Sequence, residues 1–187
     1  FKPKKNQRVF TAKGMASMGF GLPSTIGASL SMNNKRSITI IGDGGFQLNV
    51  QELQTIVTNK LKVKIFIFQN NGYHAIRVTQ DTYFGKNYVG SSDVSGVEIP
   101  NIKKVVTAYG LKYSYIANNR ELDSKLKEIL KNNLAEVIEV KIDPKKHLYP
   151  KLTSQIGENG KMTTSPLEDL FPFIKRDLLK KIMISED

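Results

Sequence analysis

The sequence has no cysteine and no tryptophan, only two histidines, and no long apolar run in its 187 residues. The lack of cysteine excludes disulfides, zinc-thiolate and iron–sulfur centres and thiol nucleophiles. The longest apolar stretch, around Ile65 to Phe68, is too short to span a bilayer or to form a signal-peptide core. A soluble, cytoplasmic protein with no membrane partner is expected. At this length a single core buries well over half of the unfolded surface, so folding needs no staple and no structural metal.

Arginine is also scarce, and this decides how the charge is read. There are 28 Lys+Arg against 17 Asp+Glu, a net +11, a balance that would suit nucleic acid. Only Arg8, Arg36, Arg77, Arg120 and Arg176 are arginines, whereas phosphate and base readers rely on the bidentate arginine fork. The lysines are scattered in pairs such as Lys103-Lys104, Lys145-Lys146 and Lys180-Lys181, with no RNP, zinc-finger or basic-zipper pattern. A solvated lysine-rich surface and no nucleic-acid partner are expected.

What is present is an alternation of strand and helix patterns. Residues 1–13 are polar and basic and read as a linker or arm. From Gly14 to Gly27 small residues dominate, as a close backbone approach to a ligand requires, and Pro23 to Met32 reads as a helix with Pro23 in its first turn. Ser37 to Ile41 is a β-branched strand ending at Gly42-Asp43-Gly44-Gly45. Asn49 to Thr58 has helical spacing with Asn49 as a possible N-cap, and Val63 to Phe68 is a strand ending at Gln69-Asn70-Asn71-Gly72-Tyr73. This βαβ order predicts a parallel sheet. Asp81 to Ile99 reads as a long functional loop. Asn101 to Tyr109 predicts a helix, Lys112 to Ile116 a strand, Glu121 to Lys131 a helix and Glu136 to Ile142 the last strand. Beyond an extended connection over 144–164, Ser165-Pro166-Leu167-Glu168 reads as a capping box that starts a short helix. The expected architecture is α/β, a three-layer α/β/α sandwich with a mostly parallel sheet. Residues 14–145 form the domain, and 146–187 form a C-terminal extension with a short helix.

In open α/β sheets, ligands bind beyond the carboxyl ends of the strands. One such end carries Asp43 among Gly42, Gly44 and Gly45, whose bare backbone can form an anion-binding nest. The next carries Asn70, Asn71 and Gly72. A carboxylate, an amide oxygen and a backbone carbonyl make an oxygen site for Mg²⁺ bound to a diphosphate. Gly-Asp-Gly alone, or Asn-Gly alone, is most often a turn; the two on consecutive strand ends joined by one helix point to a site. A Walker A loop is absent, and Gly19-Phe20-Gly21 does not complete a Rossmann fingerprint.

Gly42-Asp43-Gly44, then 25 residues, then Asn70-Asn71 resembles the thiamine diphosphate motif. Ser17-Met18-Gly19-Phe20-Gly21-Leu22-Pro23 with Ile26-Gly27-Ala28 is similar to the stretch before that motif in acetolactate synthase-type enzymes. Over about residues 10–145 the chain thus resembles the diphosphate-binding (PP) domain of that family. The resemblance implies thiamine diphosphate and Mg²⁺ as cofactors. It places Asp43, Asn70 and the Gly72 carbonyl on the metal, with Asn71 as the alternative to Asn70, because Gln69-Asn70-Asn71-Gly72-Tyr73 aligns with Asn-Asn-Asp-Gly-Tyr in relatives. Gly42, Gly44, Gly45 and Tyr73 join them around the cofactor. Met18 would sit under the cofactor's bend, with its amide and the Ala16 carbonyl on the pyrimidine edge.

The glutamate that activates the pyrimidine belongs, in this family, to a separate Pyr domain of the same or a second subunit. No catalytic set is complete in this chain, which alone is expected to be inactive. Because the sequence opens on Phe1 and lacks a Pyr domain, it is expected to be the C-terminal part of a larger polypeptide, in a homodimer or homotetramer. The implied reaction decarboxylates a 2-oxoacid, pyruvate foremost, and ligates the resulting carbanion to a second carbonyl. Simple decarboxylation and a catalytically silent scaffold are the alternatives. Pyruvate decarboxylases carry an acidic proton donor where this chain has Ile76, and an aliphatic side chain there favours carboligation. His74 and Arg77 are expected nearest the substrate.

Overall fold

The computed structural model describes residues 2–12, 15, 17–146, 149–156 and 160–183. The chain divides into two units, Phe1–Pro144 and Lys145–Asp187.

In the first unit the elements run α1 (Gly21–Ser31), β1 (Ser37–Gly42), α2 (Asp43–Gln47), α3 (Glu52–Thr58), β2 (Val63–Gln69), α4 (His74–Tyr83), α5 (Ile102–Ala108), β3 (Lys112–Ile116), α6 (Asn119–Leu130) and β4 (Glu136–Lys141). The four strands form one fully parallel sheet in the order β1-β2-β4-β3. Strand alternation sorts the side chains to two faces. Val63, Ile65 and Ile67 of β2 pack with Leu22 and Ile26 of α1, Phe46 of α2, Leu53 and Ile56 of α3, and Ile102 and Val106 of α5. Phe66 of β2, Ile116 of β3 and Ile138 of β4 pack under Ile129, Leu122 and Leu126 of α6. Helices on both faces give the expected three-layer α/β/α sandwich. The second face is less fully covered beside β1, where Ile38 and Ile40 stay 53% and 63% exposed.

Register is fixed at the amino ends of three strands. Glu136 lies opposite Lys64 on one side and Lys112 on the other. Its carboxylate meets Lys64 Nζ at 2.8 Å and Lys112 Nζ at 3.2 Å, and accepts from Ser114 Oγ at 2.6 Å. Lys64 and Glu136 are both fully buried. A one-residue slip would separate the charges and turn each strand's apolar side chains to the other face.

Several boundaries differ from the sequence reading. Gly42-Asp43-Gly44-Gly45 is not a nest: Gly42 is extended (φ −80°, ψ 159°) and α2 begins at Asp43. Asn49 does not cap a helix by its side chain, since α3 starts at Glu52. Residues 81–83 belong to α4, and the loop that follows contains a 3-10 turn at Asp93–Ser95 closed by a Ser92–Ser95 capping box.

In the second unit β5 (Ser154–Ile156) pairs antiparallel with β6 (Met162–Thr164), where an extended connection was expected. Ser165-Pro166-Leu167-Glu168 starts no helix. Phe171 instead exchanges backbone hydrogen bonds with Lys151 (2.8 and 3.1 Å), and Pro172 biases it further toward extended backbone. The helix, α7, spans Arg176–Met183. Asp169 is fully buried, accepts the Ile174 N–H at 2.9 Å and pairs with Arg176. Among the described residues no helix is long and apolar enough to cross a membrane.

Candidate functional site

The site is built where β1 and β2 end side by side, with Gly42 of β1 opposite Phe68 of β2. The two strands stop pairing with each other at this level, which leaves polar groups that need partners. Asp43 supplies them. Its side chain is fully buried; Oδ1 accepts the Gly44 N–H at 2.8 Å, and Oδ2 accepts the N–H groups of Asn70 at 3.0 Å and Gly72 at 3.2 Å. One carboxylate therefore ties the first strand end to the turn after the second.

That turn is unusual in its backbone. Asn71 has φ +62° and Gly72 φ +123°, both in the left-handed region. A Cβ on Gly72 would come within 2.5 Å of the Ser91 carbonyl oxygen, so only glycine serves there. Ser91 is buried and takes the Tyr73 N–H at 2.9 Å, which fixes the 84–100 loop beneath the turn. The Tyr73 ring rests on Gly44, where a Cβ would lie 2.3 Å from the ring.

The expected metal donors are thereby gathered on two adjacent strand ends. Asn70 joins Asp43 through its N–H, and the Gly72 carbonyl would sit 3.5 Å from a Cβ on Gly44, next to Asp43. Asn71 is exposed, and its side-chain oxygen accepts from Gln69 instead. The donors are a carboxylate, an amide oxygen and a backbone carbonyl; Asp43 Oδ1 and the Gly72 carbonyl each accept one N–H and keep a second lone pair, and oxygens of these kinds suit a hard divalent cation. No ion pair of Asp43 occurs among the described residues. A buried carboxylate without a cationic partner is costly to a fold, and a bound cation would remove that cost. The residues present fit the group.

The upstream segment approaches the same place. Met18 lies in the turn before α1 and is 45% exposed. Gly19 (φ +88°) has its carbonyl held by Asn49 Nδ2 at 2.9 Å, and its N lies 3.8 Å from a Cβ built on Gly45. Asn49, missed as an anchor by sequence reasoning, thus binds the Met18-Gly19 turn to the segment after α2; nothing local in the sequence distinguishes it from a cap. Ala16 lies outside the described residues.

Of the expected substrate neighbours, His74 opens α4 with its N–H on the Gly72 carbonyl at 3.1 Å, and Ile76 is 38% exposed on that helix's first turn. Arg77 donates to the turn before its helix: Nη1 to the Asn71 carbonyl at 2.8 Å, and Nη2 to the Asn70 carbonyl at 2.6 Å. A cavity of about 630 Å³ adjoins Asn71, lined by Gln69, Asn101, Tyr113, Glu139 and Lys141 among others. In it Tyr113 donates to Glu139 at 2.7 Å; burial first, and then this carboxylate, push the phenol above its ordinary range.

Residues 1–140 match the family model described as "Thiamine pyrophosphate enzyme, C-terminal TPP binding domain". Among curated proteins, the acetolactate synthase large subunit of Porphyra purpurea is 32% identical over 150 residues, 80% of this chain and 25% of that protein. That of Lactococcus lactis subsp. lactis is 35% identical over 153 residues, 81% of this chain and 26% of its own length. The probable acetolactate synthase large subunit of Methanocaldococcus jannaschii is 35% identical over 187 residues, 97% of this chain and 30% of that protein. The chain spans about a quarter to three-tenths of the length of these relatives.

Proposed function

Because the chain belongs to the thiamine pyrophosphate enzymes as their C-terminal TPP-binding domain, of the acetolactate synthase-like kind, we propose that it holds thiamine diphosphate through Mg²⁺ for 2-oxoacid carboligation. The observation that carries this reading is the buried Asp43 carboxylate, joined to the Asn70–Gly72 turn and lacking a cationic partner among the described residues.

In this reading Asp43, Asn70 and the Gly72 carbonyl would hold the cation, which would supply the positive charge that a diphosphate needs. Gly44 makes room for the Tyr73 ring and Gly45 faces the Met18-Gly19 turn, and Met18 on this Asn49-anchored turn would support the cofactor's bend. When bound, the cofactor supplies the carbon nucleophile and the electron sink for breaking the bond to the 2-oxoacid carboxylate. Ile76 would contribute by what it lacks: its aliphatic side chain carries no proton to deliver near the reacting carbon, which would favour ligation to a second carbonyl over protonation.

The matched stretch is 25–30% of these relatives' own length, which leaves room for the Pyr domain that would bring the activating glutamate, from the same or a second subunit of a homodimer or homotetramer. The protein so assembled acts in the cytoplasm on a small 2-oxoacid such as pyruvate, and the 187 residues alone are inactive.

Calorimetric titration of the polypeptide as its gene encodes it, with thiamine diphosphate and Mg²⁺, tests the site. Binding should require Mg²⁺ and disappear in Asp43→Ala; equal affinity in the two proteins sinks the assignment. Product analysis after incubation with pyruvate tests the reaction, and acetaldehyde as the sole product would count against carboligation.

A further inference from the structure

The turn that carries two of the proposed metal donors is gripped from both sides by opposite charges. Its donors, the Asn70 and Gly72 N–H groups, point to Asp43 Oδ2. Its acceptors, the Asn70 and Asn71 carbonyls, point to Arg77, whose Nη2 also lies 3.3 Å from Asn70 Oδ1. The turn needs such a grip because Asn71 and Gly72 both hold left-handed backbone (φ +62° and +123°), the former at a steric cost that only surrounding contacts can maintain.

Arg77 is well placed for this. It lies in the first turn of α4, its own N–H on the Tyr73 carbonyl at 3.0 Å, so the helix that leaves the turn sends its guanidinium back onto it. The planar fork reaches the carbonyls of two successive residues at once, which the point charge of lysine does not reproduce. The two charged groups form no ion pair with each other among the described residues. A direct pair would neutralise Asp43. With the turn between them, the guanidinium is satisfied by carbonyls and the carboxylate keeps its charge for a cation.

We propose that Arg77 is a positioning residue: through the Asn70 and Asn71 carbonyls it presets the Asn70 amide and the Gly72 carbonyl as cation ligands, and it does not touch the substrate. The inference rests on the metal-site reading above, but its first test is independent of that reading.

The test uses Arg77→Met and Arg77→Lys in the polypeptide as encoded. Without cofactor or metal, hydrogen exchange at the Asn70 and Gly72 amides should accelerate in Arg77→Met by about ten- to a hundred-fold, the loss of one or two hydrogen bonds to a charged donor. Exchange at Ile65 and Ile67 in the sheet should stay as in the parent, separating a loosened turn from a loosened fold. With Mg²⁺ and thiamine diphosphate, calorimetry should show affinity reduced by a similar factor, and Arg77→Lys should restore neither quantity. Parent-like exchange in Arg77→Met overturns the clamp whatever the metal site does. Faster exchange with parent-like affinity overturns the positioning role, as does full rescue by lysine. If Asp43→Ala also binds as the parent does, the metal-site reading fails as well, and the exchange data still judge the clamp.

Discussion

Replacing Glu136 by Gln tests whether the buried charges at the amino ends of the strands fix the sheet that carries the site. In the parent, Lys64 Nζ lies 2.8 Å from the Glu136 carboxylate with neither side chain exposed. After the substitution the ammonium keeps only neutral partners, the new amide and Asn132 Oδ1 at 3.2 Å. Removing one partner of a buried pair strands the other charge, at a cost of about 3–5 kcal/mol. For a chain of this size that corresponds to a fall in Tm of roughly 6–20 °C. Thermal and urea unfolding followed by circular dichroism measure it.

The pH dependence supplies a second readout of the same pair. Burial alone would raise the Glu136 carboxyl, but hydrogen bonds from Lys64, Ser114 and Lys112 outweigh it and hold it below its ordinary value of 4.5. A carboxyl depressed in the folded state contributes stability that is complete above its unfolded value and is lost as pH falls through its folded value. The gap between parent and Glu136→Gln should therefore be constant from neutral pH down to about 4.5 and close below it. The double variant Lys64→Met/Glu136→Leu, which strands no buried charge, should recover most of the loss. A single variant within about 1 kcal/mol of the parent, or a gap unchanged at acid pH, would refute the reasoning, since surface-like pairs contribute no more than that.

Two further substitutions probe the site itself. Gly72→Ala puts a Cβ 2.5 Å from the Ser91 carbonyl oxygen at φ +123°; unfolding should show a loss of at least about 1–3 kcal/mol, and calorimetry no Mg²⁺-dependent thiamine diphosphate binding. Asn49→Ala removes the hydrogen bond to the Gly19 carbonyl and a long, exposed one from Gln51, so stability should fall by about 0.5–1.5 kcal/mol while cofactor affinity drops several-fold in the same titration.

Much of the fold was legible because local chemistry and tertiary structure agree. Asn101 accepts the Lys104 N–H at 2.9 Å as an N-cap of α5, and Gly110 takes φ +73° just beyond that helix. The strands over 37–42 and 63–69 fall where β-branched and apolar residues cluster. Where the reading slipped, a distant partner overrode the local signal. The Ser165-Pro166-Leu167-Glu168 pattern starts no helix because Phe171 is taken into a bridge with Lys151. Asn49 serves the Gly19 carbonyl, 30 residues away in sequence, and no helix end.

The same division runs through the site. The sequence by itself determined which oxygen-bearing groups stand at consecutive strand ends, Asp43 at the first and Asn70, Asn71 and Gly72 at the second, because residue type and spacing are local properties. Tertiary structure decided how those donors are held. The strand register that Glu136 shares with Lys64 and Lys112 lies in three separated segments. Likewise the side-chain oxygens of Asp43 and the fork of Arg77 reach the turn only after the chain has folded back on itself. A hydrogen bond depends on distance and angle between groups, and for groups far apart along the chain those are set by packing.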